Sequence, residues 1–125
     1  PKGEAGVVAI FGGLMKSGKC PTIFGDGTNA RDYAFVYDIV LANNIALRRG
    51  KNFILNLGWG KPISDQKIFD AVAKEANYDK KPIYAPYRKG EVYKIARDAK
   101  KARKILGWKP KVKLGDGIKK ALESI

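Results

Sequence analysis

Apolar positions recur along the chain with two different periods, and the switches between them mark out its elements. Val7, Val8, Ile10, Phe11, Leu14 and Met15 give a wide apolar face at helical spacing and predict a helix over 5–16 that ends near Gly18. Gly12 and Gly13 weaken that helix, because glycine loses more backbone entropy than other residues on ordering. Residues 21–24 (PTIF) read as a short strand and 25–29 (GDGTN) as a turn. Residues 31–37 read as a β-rich run with aromatics at the alternate positions 33, 35 and 37. Asp38 is placed as the N-cap of a helix through Ile39, Val40, Leu41, Ala42, Ile45, Ala46 and Leu47 that stops at Gly50. Residues 52–57 (NFILNL) form the strongest predicted strand.

In the second half, Ser64 caps a helix carrying Ile68, Phe69, Val72 and Ala73 on one face. Residues 82–84 are extended, and 86–91 (PYRKGE) form a loop. Asp98 caps a further helix with Ala99, Ala102, Ile105 and Leu106 on its apolar side, ended by Gly107-Trp108-Lys109-Pro110, and a last short helix covers about 116–124. Short strands mixed irregularly with about five helices predict a small mixed α/β domain rather than a regular βαβ series.

Composition narrows the class. With 125 residues of which 45% are hydrophobic, one domain or a piece of a larger protein can bury a core. No apolar run approaches the roughly 20 residues of a spanning helix, and Pro1-Lys2-Gly3-Glu4 has no character of a signal peptide. The chain opens on Pro rather than Met, which fits an internal fragment or a processed product better than a natural start. The single Cys20 cannot form an internal disulfide, so a reducing cytoplasm is expected, and Cys20 reads as a small residue before Pro21 rather than a nucleophile. The absence of His excludes imidazole bases, His-ligated zinc and catalytic triads.

Charge is unevenly spread. Residues 1–79 hold 10 Lys and Arg against 8 Asp and Glu, whereas 80–125 hold 15 against 4, within a net charge of +13. A basic second half suits nucleic acid or a phosphorylated ligand. Tyr84, Tyr87, Tyr93 and Trp108 interleave with its cations as stacking platforms do. Nineteen of the 25 cations are Lys, which favours a solvated surface instead.

Two glycine segments imitate a dinucleotide fingerprint. Gly25-x-Gly27-x-x-Ala30 is followed by a β-like run where the fingerprint needs a helix N-terminus for the pyrophosphate. Gly58-x-Gly60 lies between a strand and a helix, but Ile63 stands at its third position and Pro62 removes a backbone donor. Both read as turns.

Several segments in order, from Gly3-Glu4-Ala5-Gly6 through Pro21-Thr22-Ile23-Phe24-Gly25-Asp26-Gly27, Arg31-Asp32-Tyr33, Val36-Tyr37-Asp38-Ile39, Asn56-Leu57-Gly58-x-Gly60, Arg88-Lys89-Gly90-Glu91 and Ile105-Leu106-Gly107-Trp108-Lys109-Pro110, resemble the second half of UDP-glucose 4-epimerases and their relatives in the extended short-chain dehydrogenase/reductase superfamily. The resemblance spans nearly the whole chain. It implies that residues 1–125 are the C-terminal, nucleotide-sugar-binding domain of a longer enzyme and lack its Rossmann half. In that family this half holds the nucleotide diphosphate, a task for which paired, charge-assisted Arg forks are suited. By resemblance Arg31 and Arg88 match the two diphosphate arginines, and Glu91 matches the acidic residue that accepts the ribose hydroxyls. Tyr33 lines the sugar-phosphate side, and Thr22 and Phe24 belong to the strand along the uracil.

The resemblance implies a parent enzyme that inverts C4 of a UDP-hexose through a 4-keto intermediate with bound NAD. Its expected partners are a UDP-sugar, the nucleotide-binding half and a second subunit, in the cytoplasm and without membrane or nucleic acid. The family's first half supplies a Tyr-x-x-x-Lys pair, and in this chain no Tyr is followed four residues later by Lys. The chain alone is therefore expected to be inactive and to bind no NAD. Phe35, Trp59 and Ile95 depart from residues common at those positions. The alternatives left open are a dehydratase or decarboxylase of the same superfamily, a basic nucleic-acid-binding module, and an orphan domain that keeps the fold without the ligand.

Overall fold

The computed structural model of the chain describes residues 6–49 and 51–125. Residues 3–5 of the first resembling segment, the expected helix start at Ala5 and the stop at Gly50 lie outside the described residues. In chain order the elements are α1 (Val7–Lys16), β1 (Thr22–Phe24), β2 (Ala30–Arg31), α2 (Val36–Arg49), β3 (Ile63–Ser64), α3 (Asp65–Glu75), β4 (Ile83–Ala85), α4 (Lys100–Leu106) and α5 (Leu114–Glu123). Among the described residues, five helices with very short strands give the mixed α/β architecture read from the sequence. The contacts divide the chain into two compact units, the first built from residues up to Asn29, Ser64–Tyr93 and Gly115–Ile125, the second from Ala30–Ile63 and Lys94–Leu114.

In the first unit the apolar face of α1 buries Phe11 and Met15, and α3 buries Ile68, Phe69, Val72 and Ala73. The two helices pack together, with the Phe11 and Phe69 rings edge to face at 5.9 Å. Gly12 is needed for the approach of α5: a Cβ there would lie 2.3 Å from Leu122 Cδ2. The residue that weakens α1 locally thus permits its packing. Strand β1 pairs in parallel with β4, Thr22 opposite Ile83 and Phe24 opposite Ala85. The pairing is extended by the Gly25 N–H donating to the Ala85 carbonyl at 2.7 Å. Ser64 caps α3 as expected, its hydroxyl accepting the Lys67 N–H at 3.3 Å. The next two donors of that helix end, the Asp65 and Gln66 amides, go to the Asn29 and Gly27 carbonyls at 2.8 and 3.1 Å.

In the second unit α2 packs on α4 around buried Ala42, Ala99, Ala102, Leu106 and Trp108, with Leu55 and Leu57 against the cluster. The Trp108 indole N–H donates to the Asp38 carbonyl at 2.7 Å, and the buried Asp38 carboxylate accepts the Lys111 and Val112 amides at 3.0 Å each. Asp38 is therefore not the N-cap of α2. It sits in the first turn and spends its carboxylate on a distant segment. The helix begins earlier than its polar residue suggests, because the Phe35 carbonyl already accepts the Asp38 amide at 3.0 Å. That start removes Val36 and Tyr37 from the predicted β-rich run, of which only Arg31 is strand; the alternating aromatics give way to helical turns.

The predicted strand over 52–57 does not form. Asn52 has φ +57°, a turn conformation, and no strand lies beside 53–57 among the described residues. An apolar run becomes a strand only where a neighbour takes its amides and carbonyls. Asp98 accepts the Lys100 amide at 2.9 Å just ahead of α4. Gly107 ends that helix in the left-handed region at φ +67°.

Candidate functional site

Strand alternation sets the first part of the site. Ile23 points into the core of the first unit at 2% exposure, so Thr22 and Phe24 stand together on the opposite, half-buried face of β1. The Arg88 guanidinium lies over the Phe24 ring, 3.5 Å from its centroid, in cation–π contact. Arg88 opens a tight turn in which its carbonyl accepts the Glu91 amide at 3.3 Å and Gly90 takes φ +84°. Glu91 thus stands exposed just across the turn from Arg88. Of the residues singled out from the sequence, Thr22, Phe24, Arg88 and Glu91 fall in the first unit, and Phe24 and Arg88 are in direct contact.

Two neighbours of this pair, Tyr87 and Asp26, were not placed at this site by the sequence reading. The Tyr87 ring covers Gly25 so closely that a Cβ there would lie 2.1 Å from a ring carbon, and the Tyr87 hydroxyl donates to Asp26 Oδ1 at 2.6 Å. Hydrogen bonds from the Thr28 hydroxyl, from Tyr87 and from the Thr28 amide hold the exposed Asp26 carboxyl down at about 2. A shallow cleft of about 550 Å³ runs along Gly25, Asp26, Tyr84, Pro86 and Tyr87. The available signal was a Tyr directly before the Arg of the loop, together with a glycine directly after Phe24.

Arg31 and Tyr33 belong to the second unit, both half-buried. The Arg31 Nη1 donates to the Ala30 carbonyl at 3.0 Å. Asp32 lies between them. It is buried, and its carboxylate accepts the Trp59, Gly60 and Arg97 amides at 3.0, 2.9 and 3.0 Å. This settles the character of Gly58-x-Gly60: the amides that would cradle a phosphate are directed at a carboxylate of the same chain. The other glycine segment, Gly25-x-Gly27-x-x-Ala30, runs into β2 and offers no helix N-terminus. Neither segment fits the pyrophosphate of a dinucleotide.

Other surfaces narrow the chemistry. Trp108 is 1% exposed with its N–H engaged, so it is no stacking platform for bases. Tyr84, Tyr87 and Tyr93 are exposed. The Cys20 thiol donates to the Lys81 carbonyl at 3.0 Å, in keeping with a packing role. Among the described residues no group of three or more acidic or Cys side chains is placed to hold a metal, and no helix is long and apolar enough to cross a membrane.

The sequence model of the family described as GDP-mannose 4,6 dehydratase matches residues 8–121. A putative UDP-glucose 4-epimerase of Methanocaldococcus jannaschii is 46% identical over 98% of this chain and 39% of its own length. The UDP-glucose 4-epimerase of Thermotoga maritima, solved with UDP-glucose, superposes with a TM-score of 0.94 at 46% identity, over 98% of this chain and 40% of that one. The Thermus thermophilus UDP-glucose 4-epimerase, solved with NAD, gives 0.85 at 34% identity, over 98% and 40%. The chain thus spans about two fifths of the length of the relatives it matches. The match over 8–121, with the order of motifs and the shared architecture, places the chain in the GDP-mannose 4,6 dehydratase family of the extended short-chain dehydrogenase/reductase superfamily, as a member similar to UDP-glucose 4-epimerases.

Proposed function

We propose that this chain is the nucleotide-sugar-binding part of a UDP-sugar 4-epimerase and that it holds the nucleotide diphosphate of the substrate. The observation that carries the reading is the Arg88 guanidinium laid on Phe24 beside an exposed acidic residue, at the end of a strand that presents Thr22 and Phe24 on one face. An aromatic ring and backbone edge suit a planar base, an Arg fork suits a phosphate dianion, and a carboxylate suits vicinal hydroxyls. Thr22 and Phe24 are assigned to the base, Arg88 to the diphosphate and Glu91 to the ribose. By resemblance alone, Arg31 and Tyr33, in the second unit, are read as the family's diphosphate arginine and sugar-phosphate residue.

The chemistry at C4 needs groups that this chain does not carry. No Tyr-x-x-x-Lys pair occurs in it, and its glycine turns do not fit NAD, so the nicotinamide and the proton-exchanging residue are assigned to the remaining part of a full-length enzyme. Residues 1–125 are accordingly read as its substrate-binding C-terminal domain, which in the full enzyme packs against that nucleotide-binding half.

Calorimetric titration of the chain with UDP at about 0.15 M salt, repeated with Arg88→Ala and with GDP in place of UDP, tests the reading. Saturable UDP binding, weakened roughly tenfold or more by Arg88→Ala, is expected from loss of a charge-assisted pair. Preference for GDP would move the assignment to the GDP-sugar dehydratases of the same family. Affinity indifferent to Arg88→Ala would return Arg88 and Glu91 to surface charges.

A further inference from the structure

We propose that Tyr87 is a positioning residue that preforms the nucleotide clamp by fixing Arg88 over Phe24. The inference deepens the reading of Phe24 and Arg88 as a nucleotide site and rests on it.

The geometry has three linked parts, all in the first unit. Phe24, Gly25 and Asp26 are consecutive, as are Tyr87 and Arg88, so the two segments meet through two adjacent contacts. In one, Tyr87 lies on Gly25 and reaches the Asp26 carboxylate. In the other, Arg88 lies on Phe24. Gly25 has φ +90° and its missing Cβ is what admits the Tyr87 ring, so the site is shaped twice for this contact, by conformation and by space. The Gly25 amide bonds the Ala85 carbonyl at 2.7 Å, which brings the 85–87 backbone alongside the end of β1.

Arg88 itself is exposed, on a loop that turns sharply at Gly90. A long exposed cation on such a loop samples many rotamers, and each one frozen on binding weakens the ligand. Tyr87 removes much of that freedom one residue away, since its ring and hydroxyl are both anchored. The Asp26 carboxylate that receives the hydroxyl is held by Thr28 as well, so the anchor does not depend on Tyr87 for its own placement. Tyr87 need not touch the ligand for any of this.

A double-mutant cycle separates positioning from direct contact. UDP affinity is measured for the unchanged chain, Tyr87→Ala, Arg88→Ala and the double variant. Tyr87→Ala is expected to weaken UDP binding about threefold to tenfold, the scale of one ordinary intramolecular hydrogen bond, and to have less than about a twofold effect once Arg88 is absent. Equal losses in both backgrounds would overturn the proposal. A second measurement needs no ligand: the side-chain proton resonances of Arg88, displaced by the Phe24 ring current, are expected to return to unstructured positions in Tyr87→Ala. Resonances that stay displaced would overturn it too. Tyr87→Phe, which keeps the ring on Gly25 and deletes only the bond to Asp26, gives an intermediate effect in both measurements and guards against an unfolded variant. If Arg88→Ala leaves UDP affinity unchanged while the Arg88 resonances still depend on Tyr87, the nucleotide reading fails and the positional coupling stands.

Discussion

The Asp32 carboxylate occupies the space that a side chain on Gly58 would need, with Oδ2 only 2.5 Å from where that Cβ would stand. The glycine and the carboxylate are therefore one device. Asp32 accepts three backbone amides, and Gly58 clears the way for it. Gly58→Ala is expected to cost about 1–3 kcal/mol by overpacking. Asp32→Ala, which removes the acceptor of three partly buried amides, is expected to cost about 2–5 kcal/mol. Chemical denaturation with a common slope for all variants checks both, and a Gly58→Ala variant as stable as the parent would show that the loop can shift aside.

This pairing also shows what the sequence could and could not tell. Gly58-x-Gly60 was legible as a turn, because Pro62 and Ile63 break the phosphate-binding pattern, but its partner 26 positions earlier was not. Local signals were read well where they act locally: Ser64 caps α3, and Gly107 ends α4. They misled where a distant group decided. Asp38 has the chemistry of an N-cap and gives its carboxylate instead to Lys111 and Val112. Residues 52–57 have the composition of a strand, but strand formation depends on a neighbour that composition cannot supply. At the candidate site, motif order singled out Phe24 and Arg88, which do meet. Tyr87, read from the sequence only as a stacking platform, was not joined to them because its contact with Gly25 exists only once β1 and β4 lie side by side.

The buried tryptophan supplies a second stability test. Trp108 fills the centre of the second unit's core and donates its only polar hydrogen to the Asp38 carbonyl. Trp108→Phe removes that bond and part of the ring and is expected to cost about 1–3 kcal/mol, whereas Trp108→Ala is expected to cost about 3–5 kcal/mol. Because the same Asp38 also holds Lys111 and Val112, amide exchange at those two positions should quicken in Trp108→Phe more than at the α1–α3 contact.

The acid side of the stability profile has a specific origin at Asp26. Its carboxyl titrates at about 2 in the folded chain against an ordinary 3.8, held down first by the Thr28 hydroxyl and then by Tyr87. A depressed acid contributes stability above its unfolded value and loses it as pH falls through the folded one, so this contribution is complete above about 4 and fades toward pH 2. Following the Asp26 carboxyl carbon by NMR should give a midpoint near 2. Thr28→Val should raise that midpoint more than Tyr87→Phe does, and an unmoved midpoint in both variants would remove the assigned cause.

The last prediction concerns the apolar surface of the second unit. Along α2, Val36, Tyr37, Val40, Leu41 and Leu47 are exposed, as are Phe53 and Ile54 beyond it, with Leu47 at 86% and Ile54 at 90%. Burying one such aliphatic side chain is worth about 1.5–3 kcal/mol, so several together drive association when water is their only neighbour. The chain is expected to self-associate in a concentration-dependent way, with a scattering mass above the 13.8 kDa of one copy. Leu47→Lys combined with Ile54→Lys should lower that mass toward one copy without loss of thermal stability, since neither side chain contributes to the core. A parent chain that stays at 13.8 kDa across a wide concentration range would show that this apolar surface does not drive association. An unchanged oligomer in the double variant would place the contact elsewhere on the molecule.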